Sequence, residues 1–154
     1  MPRAAQEVVR QERVEHRGDE REATRHAEVP HHIVTRLRQT CLALPDAYEE
    51  AAWTGTRWRI RKQTFTHVVT IDRGWPPAYA AAAGSAGPLT VMTFQSAGEE
   101  LEAFSRIGHP YFRPRWRPNI VGLILDPDTD WDEVAELVTD SYCHLAPRKL
   151  VAVV

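Results

Sequence analysis

The sequence predicts an α+β protein, a two-layer α/β sandwich in which helices pack on one face of an antiparallel sheet. Short apolar stretches with strand periodicity follow one another after residue 47, and turn residues such as Thr54 and Gly55 separate them. Stretches with helical spacing of apolar residues precede and follow these strands. Because consecutive strands joined by short turns pair in antiparallel fashion, the helices are expected to cover one face of the sheet.

Composition narrows the class of protein. A chain of 154 residues with 43% hydrophobic residues can form one domain with a real core, and its net charge of −2 argues against a strongly basic nucleic-acid binder. No apolar run approaches the ~18 residues of a membrane span, and the charged N-terminus has no signal-peptide core. Cys41 and Cys143 are expected to be reduced thiols. The prediction is a cytoplasmic protein without a membrane partner.

Residues 1–28 differ in kind from the rest of the chain. They are rich in Arg and Glu and poor in large aliphatic residues, which predicts a solvated helical or disordered arm. The alternative is an arm that contacts phosphates. The folded domain is expected to span residues 29–154.

The domain is expected to begin with a helix and to end with one. The predicted order is helix 31–44, strands 48–53, 57–62 and 66–72, loop 73–88 with a helical turn at 79–83, strand 89–95, helix 99–107, irregular loop 109–118, strand 120–125 and a last helix after residue 130. Residues 57–62 alternate strongly, with Arg57, Arg59 and Arg61 on one face and Trp58 and Ile60 on the other.

Two helix starts carry capping signals. Ser96 and Glu99 have the spacing of a capping box, and Asp130 with Glu133 repeats it. The last helix should bury a stripe of residues at helical spacing, namely Trp131, Val134, Val138, Tyr142 and Leu145.

No arrangement of residues predicts catalysis. Cys143 and His144 are adjacent on a predicted helix and therefore point in different directions, so they do not form a dyad. No pair of cysteines or histidines has metal-ligand spacing, and the glycines at 84 and 87 lack the remainder of a phosphate-binding loop. The expectation is a protein that is not an enzyme and that has no cofactor or metal.

Two basic clusters predict a nucleic-acid surface. The strand cluster contains Arg57, Arg59, Arg61 and Lys62, and the loop cluster contains Arg113, Arg115, Trp116 and Arg117. Arginine donates two hydrogen bonds to a phosphate, and tryptophan offers a face on which a base can stack. Three alternatives stay open: the arginines protect an exposed strand, they pair with nearby glutamates, or Trp116 belongs to the core.

Three segments carry a resemblance to a known family: residues 141–150, Trp58 to Arg61, and the apolar strand at 119–125. Over about residues 33–150, the chain resembles the MmcQ/YjbR family of small bacterial α/β proteins. The resemblance implies a compact α/β fold and DNA binding through wing-like elements. The alternative that it implies is a non-enzymatic protein-interaction module, because the fold resembles that of secretion chaperones. No oligomeric state is predicted.

Overall fold

The computed structural model of the protein describes residues 27–154. The arm predicted at 1–28 lies almost entirely outside the described residues. The helices are α1 (His31–Cys41), α2 (Pro77–Ala83), α3 (Gly98–Ile107), α4 (Trp131–Leu145) and α5 (Arg148–Val151). The strands are β1 (Tyr48–Ala51), β2 (Thr56–Ile60), β3 (Gln63–Ile71), β4 (Leu89–Gln95), β5 (Tyr111–Phe112) and β6 (Ile120–Leu125).

The strands form one six-stranded sheet in the order β1-β2-β3-β4-β6-β5. Every neighbouring pair is antiparallel, as the succession of short strands and turns predicts. The predicted α+β architecture is therefore confirmed. Gly55 forms the turn between β1 and β2 at a φ of 74°, and a Cβ atom there would lie 2.0 Å from the carbonyl oxygen of Val68.

The first face of the sheet is covered by α1, α3 and α4, which pack over the main core. Trp58, Phe65 and Tyr142 are among the largest fully buried side chains of this core. The rings of Phe65 and Tyr142 meet edge to face with centroids 5.5 Å apart. The predicted stripe of α4 is on this side, with Val134, Val138 and Tyr142 buried.

Ser141 ties α4 to two strands. Its hydroxyl donates to the carbonyl oxygen of Phe65 at 2.6 Å and accepts from the backbone N–H of Gln95 at 2.8 Å. Because the hydroxyl is fully buried, both hydrogen bonds are made without competition from water. The apolar periodicity of the helix did not single out this polar residue.

The second face of the sheet, defined as the side away from α4, is covered in part by α2. Tyr79 of α2 packs there with Val69, Ile71 and Val91 in a smaller apolar cluster. The short helical turn predicted within loop 73–88 is therefore a helix that covers the central strands. The helices thus do not all lie on one face of the sheet, although the sequence predicts that they do.

Several local predictions were wrong in detail. Arg61 does not continue β2 but lies in the hairpin turn to β3 with a φ of 57°. Ser96 donates to the Glu100 carboxylate at 2.8 Å, and the N-cap of α3 is Ala97 without a side-chain cap. The loop before β6 contains the short strand β5, which was not predicted. The cap at Asp130 is confirmed, since its carboxylate accepts from two backbone N–H groups.

Val138 provides a test of the main core, because it is fully buried beneath the sheet. Val138→Asp places an unpaired carboxylate there and should cost several kcal/mol of a stability that is typically ~5–15 kcal/mol. We expect loss of the cooperative transition in urea unfolding followed by circular dichroism. Glu136→Asp introduces an aspartate at an exposed position of α4. This control variant should unfold like the parent protein. Cooperative folding of Val138→Asp would contradict this packing.

Candidate functional site

A cross-strand row of directly opposed residues runs over the second face of the sheet. The pairing registers place its members in the order Glu50, Arg57, His67, Thr93, Gly122 and Phe112. Directly opposed residues of antiparallel strands have side chains close enough to interact. The row therefore brings an acid, an arginine, a histidine and a threonine together from four strands.

The two ends of the row differ. At Gly122 the missing side chain leaves space that the ring of Phe112 occupies, since a Cβ atom would lie 2.2 Å from that ring. At the other end Glu50 accepts hydrogen bonds from Arg57 at 2.9 Å and from Arg59 at 3.3 Å. The hydrogen bond from Arg57 is the main cause that lowers the pKa of Glu50.

The opposite side of β2 is anchored independently. Arg38 of α1 donates to both carboxylate oxygens of Glu49 at 2.8 and 2.9 Å, and the indole Nε1 of Trp58 donates to one of them at 2.9 Å. The hydrogen bond from Arg38 is the main cause that lowers the pKa of Glu49. Because Trp58 is held there and is fully buried, Arg57 and Arg59 must point to the second face.

A cavity of about 400 Å³ opens on the second face above the middle of the row. Arg57, His67 and Thr93 contribute to its floor, and three separate segments form its walls. The walls come from Trp53 in the β1–β2 turn, Ala78 and Tyr79 of α2, and Trp116 and Arg117 in the loop before β6. Tyr79 and Trp116 pack together with ring centroids 4.8 Å apart.

The hydrogen bonds of His67 determine its tautomer. Its Nε2 lies 2.8 Å from the carbonyl oxygen of Thr54, which can only accept, so Nε2 carries the proton. Its Nδ1 lies 3.1 Å from the phenol oxygen of Tyr79, and in the neutral ring this nitrogen can only accept. Tyr79 therefore donates a hydrogen bond to Nδ1 of His67.

Both groups are held in their uncharged forms. Burial lowers the pKa of His67, with a hydrogen bond to Thr54 acting against it and the charge of Arg57 acting with it. Burial raises the pKa of Tyr79 to about 12, while an interaction with the Thr93 hydroxyl acts in the opposite direction. The cavity thus has a neutral, ordered polar floor beneath aromatic walls and beside two arginines.

The predicted strand cluster is divided by the fold. Arg57 lines the cavity, and Arg59 is half-buried against Glu50 and the Lys62 carbonyl oxygen. Arg61 and Lys62 are exposed in the hairpin turn. The alternative that acids neutralise these arginines therefore holds for two of the four residues.

The predicted loop cluster is divided as well. Arg113 donates to the carbonyl oxygens of Ile120 and Pro118 and to the Ser105 hydroxyl, so its guanidinium holds the loop together. Arg115 and Arg117 are exposed, and neither forms an ion pair with another described residue. Trp116 is 43% exposed, so it is a cavity wall and not a core residue.

Sequence reasoning missed four residues of this site, which are Trp53, His67, Tyr79 and Thr93. His67 lay in a predicted strand whose alternation would have placed it opposite the buried side of Val68. Tyr79 lay in an alanine-rich segment that predicted only a helical turn. No local signal joins these residues, because they come from four different elements.

Within residues 27–154, no group of three or more His, Cys, Asp or Glu residues is placed to hold a metal ion. None of the helices in this part of the chain is long and apolar enough to span a membrane. Cys41 and Cys143 are both free thiols, and burial raises the pKa of each.

Most of these elements lie in a part of the chain that matches a known protein family. The model of the YjbR family matches residues 42–144, which include the sheet and most of α4. No curated protein matches the chain.

The neutral state of His67 predicts a pH dependence of stability. As the pH falls below about 6.5, the unfolded chain binds a proton at this residue while the folded chain, whose pKa is lowered, does not. The free energy of unfolding should therefore decrease between about pH 7 and pH 5. His67→Gln, whose amide can still donate to Thr54, should remove part of that decrease.

Urea unfolding at several pH values measures this effect. His109→Gln, at an exposed histidine, is the matched control and should keep the parent slope. The lowered pKa values of Glu49 and Glu50 act at lower pH and do not confound this window. Identical slopes for His67→Gln and the parent would contradict the neutral state assigned to His67.

Proposed function

The chain belongs to the YjbR family, and from that premise we propose that it binds single-stranded DNA on the second face of its sheet. One observation carries the proposal. Arg57 of the strand cluster and Trp116 with Arg117 of the loop cluster, far apart in sequence, line the same cavity. Arginine donors beside exposed aromatic faces are the groups that hold a nucleic-acid strand without its complement.

The aromatic residues supply the stacking part of the proposal. Trp53 is 69% exposed and Trp116 is 43% exposed, although both are large apolar side chains. Trp53 contacts Trp75 edge to face at 5.8 Å, which leaves much of its indole open. An unpaired base can stack on such a ring, whereas the bases of a duplex are already stacked on one another.

The charges favour a single strand over a duplex. A protein that contacts about 6–10 phosphates of a duplex has an affinity that depends steeply on salt. Here Glu50 already neutralises part of the charge of Arg57 and Arg59, and Arg113 is bound to the protein itself. Within the two clusters, the cations that remain exposed are Arg61, Lys62, Arg115 and Arg117. Four such charges suit a short stretch of single strand.

A specific observation also favours a protein partner. Strand β1 is at an edge of the sheet, where its outer side can accept another strand, and Tyr48 and Trp53 expose apolar surface at its ends. Added strands bind such edges through backbone hydrogen bonds. This is the second candidate function.

Replacing Arg115 and Arg117 together with Gln tests the phosphate contacts. Affinity for a single-stranded decamer should fall for every base composition. The slope of log K against log salt should flatten by about 1.4, because each of the two lost phosphate contacts contributes ~0.7. Fluorescence anisotropy with a labelled decamer at several salt concentrations measures both quantities. Arg36 and Arg148, which do not line the cavity, are replaced with Gln as the control and should leave the slope unchanged.

Trp116→Ala tests the stacking contact. Binding to single-stranded DNA should weaken by ~1–3 kcal/mol, and binding to a duplex of equal length should weaken less. Thermal unfolding of the same sample checks whether loss of the contact with Tyr79 has altered the fold. If the parent protein binds no DNA at low salt, where non-specific attraction is strongest, the proposal fails and the edge of β1 becomes the leading candidate.

A further inference from the structure

The direction of the hydrogen bonds under the cavity determines what its floor can recognise. The first hydrogen bond of this series joins the Thr54 carbonyl oxygen, which accepts, to Nε2 of His67, which donates. Nδ1 of His67 accepts from Tyr79, so the phenol proton is committed to the ring and cannot serve a ligand. What the phenol oxygen can still offer is a lone pair.

Thr93 adds a second oxygen atom to the cavity floor. It lines the same cavity and lies directly opposite His67 in the strand register. A threonine hydroxyl keeps acceptor lone pairs whichever partner takes its proton. The phenol oxygen of Tyr79 can only accept from a ligand and the Thr93 oxygen can accept as well, so a ligand with two hydrogen-bond donors matches this floor.

The arginines set the opposite requirement for the other end of a ligand. Arg57 and Arg117 both line the cavity. A guanidinium has N–H donors and no acceptor atom, so it can bind only a group that accepts. The Nε of Arg57 is buried and has no hydrogen-bond partner among the described residues, although another nitrogen of the same guanidinium reaches Glu50. An anionic group beside it would supply the acceptor that this donor lacks.

The walls and the volume of the cavity restrict the shape of its ligand. Trp116 is 43% exposed and presents a ring surface at the cavity, and planar aromatic ligands stack on such surfaces. A volume of about 400 Å³ is in the range of small-molecule pockets and has room for one heteroaromatic base.

We infer that the cavity binds one nucleobase that carries an exocyclic amino group, with its two N–H donors at Tyr79 and Thr93 and its phosphate at Arg57 and Arg117. This inference rests on the proposed function and names the part of the strand that the site reads. The same chemistry is present in a free nucleotide, so a mononucleotide is a second source of the ligand.

Matched ligands test the amino group. The full-length protein is titrated by calorimetry with adenosine 5′-monophosphate and with purine riboside 5′-monophosphate, which lacks the amino group. The same comparison is made with two single-stranded decamers, one whose bases are all adenine and one whose bases are all unsubstituted purine, which lacks the amino group. The amino-bearing member of each pair should bind about tenfold more tightly, since its loss leaves buried acceptors without donors.

Matched variants test the floor. Tyr79→Phe and Thr93→Val remove one hydroxyl each with little change of shape, and each should reduce the tenfold preference towards one. Tyr111→Phe removes a hydroxyl that bonds Glu133 outside the cavity, and it should keep the full preference. Thermal unfolding of each variant confirms that the fold is retained.

The outcomes separate the two proposals. Decamer binding that depends on Arg115, Arg117 and Trp116 but ignores the amino group and Tyr79→Phe would overturn the inference and leave the proposed function standing. An amino preference with the mononucleotide alone, without decamer binding, would overturn the proposed function and leave the cavity as a nucleotide site. If neither ligand class shows the preference, the inference is wrong.

Discussion

The register of β3 between β2 and β4 is the constraint on which the site depends. Because His67 lies opposite both Arg57 and Thr93, one residue of the central strand aligns the neighbouring strands on either side. A shift of the register by one residue would turn these side chains to the other face. The main core resists such a shift, since Val68 and Trp58, the neighbours of His67 and Arg57, are fully buried on the first face. Packing on one face thus positions the chemistry on the other.

The second face is only partly covered, and this explains why a cavity forms there. Helix α2 shields Val69, Ile71 and Val91 but spans just Pro77–Ala83. Next to it the loop before β6 brings Trp116 against Tyr79. That loop is tied to its surroundings by Arg113, which donates to the carbonyl oxygens of Pro118 in the loop and Ile120 in β6 and to the Ser105 hydroxyl. A rigid loop and a short helix leave a gap with well-ordered walls, which suits a binding site more than a flexible surface would.

The arginines of the two clusters have different physical roles although they look alike in the sequence. Arg113 stabilises a loop, whereas Arg57 and Arg59 both donate to the same carboxylate oxygen of Glu50. Arg115 and Arg117 remain exposed to solvent. A guanidinium that already satisfies a carbonyl or a carboxylate contributes less to attracting a phosphate, because its charge and donors are partly committed. The spacing of basic residues therefore overstates the positive surface of this protein.

The sequence by itself determined five of the six strands, the helix α4 with its cap at Asp130, and the division of β2 into an arginine side and a tryptophan side. These features follow from local periodicity and capping, which act within a few residues of each other. Only the tertiary structure decided that Trp53, His67, Tyr79 and Thr93 meet in one cavity, and that Arg61 turns away from its strand. The physical reason is that strand register, the placement of α2 and the pairing of acids with arginines are contacts between distant residues. No pattern within one segment carries that information.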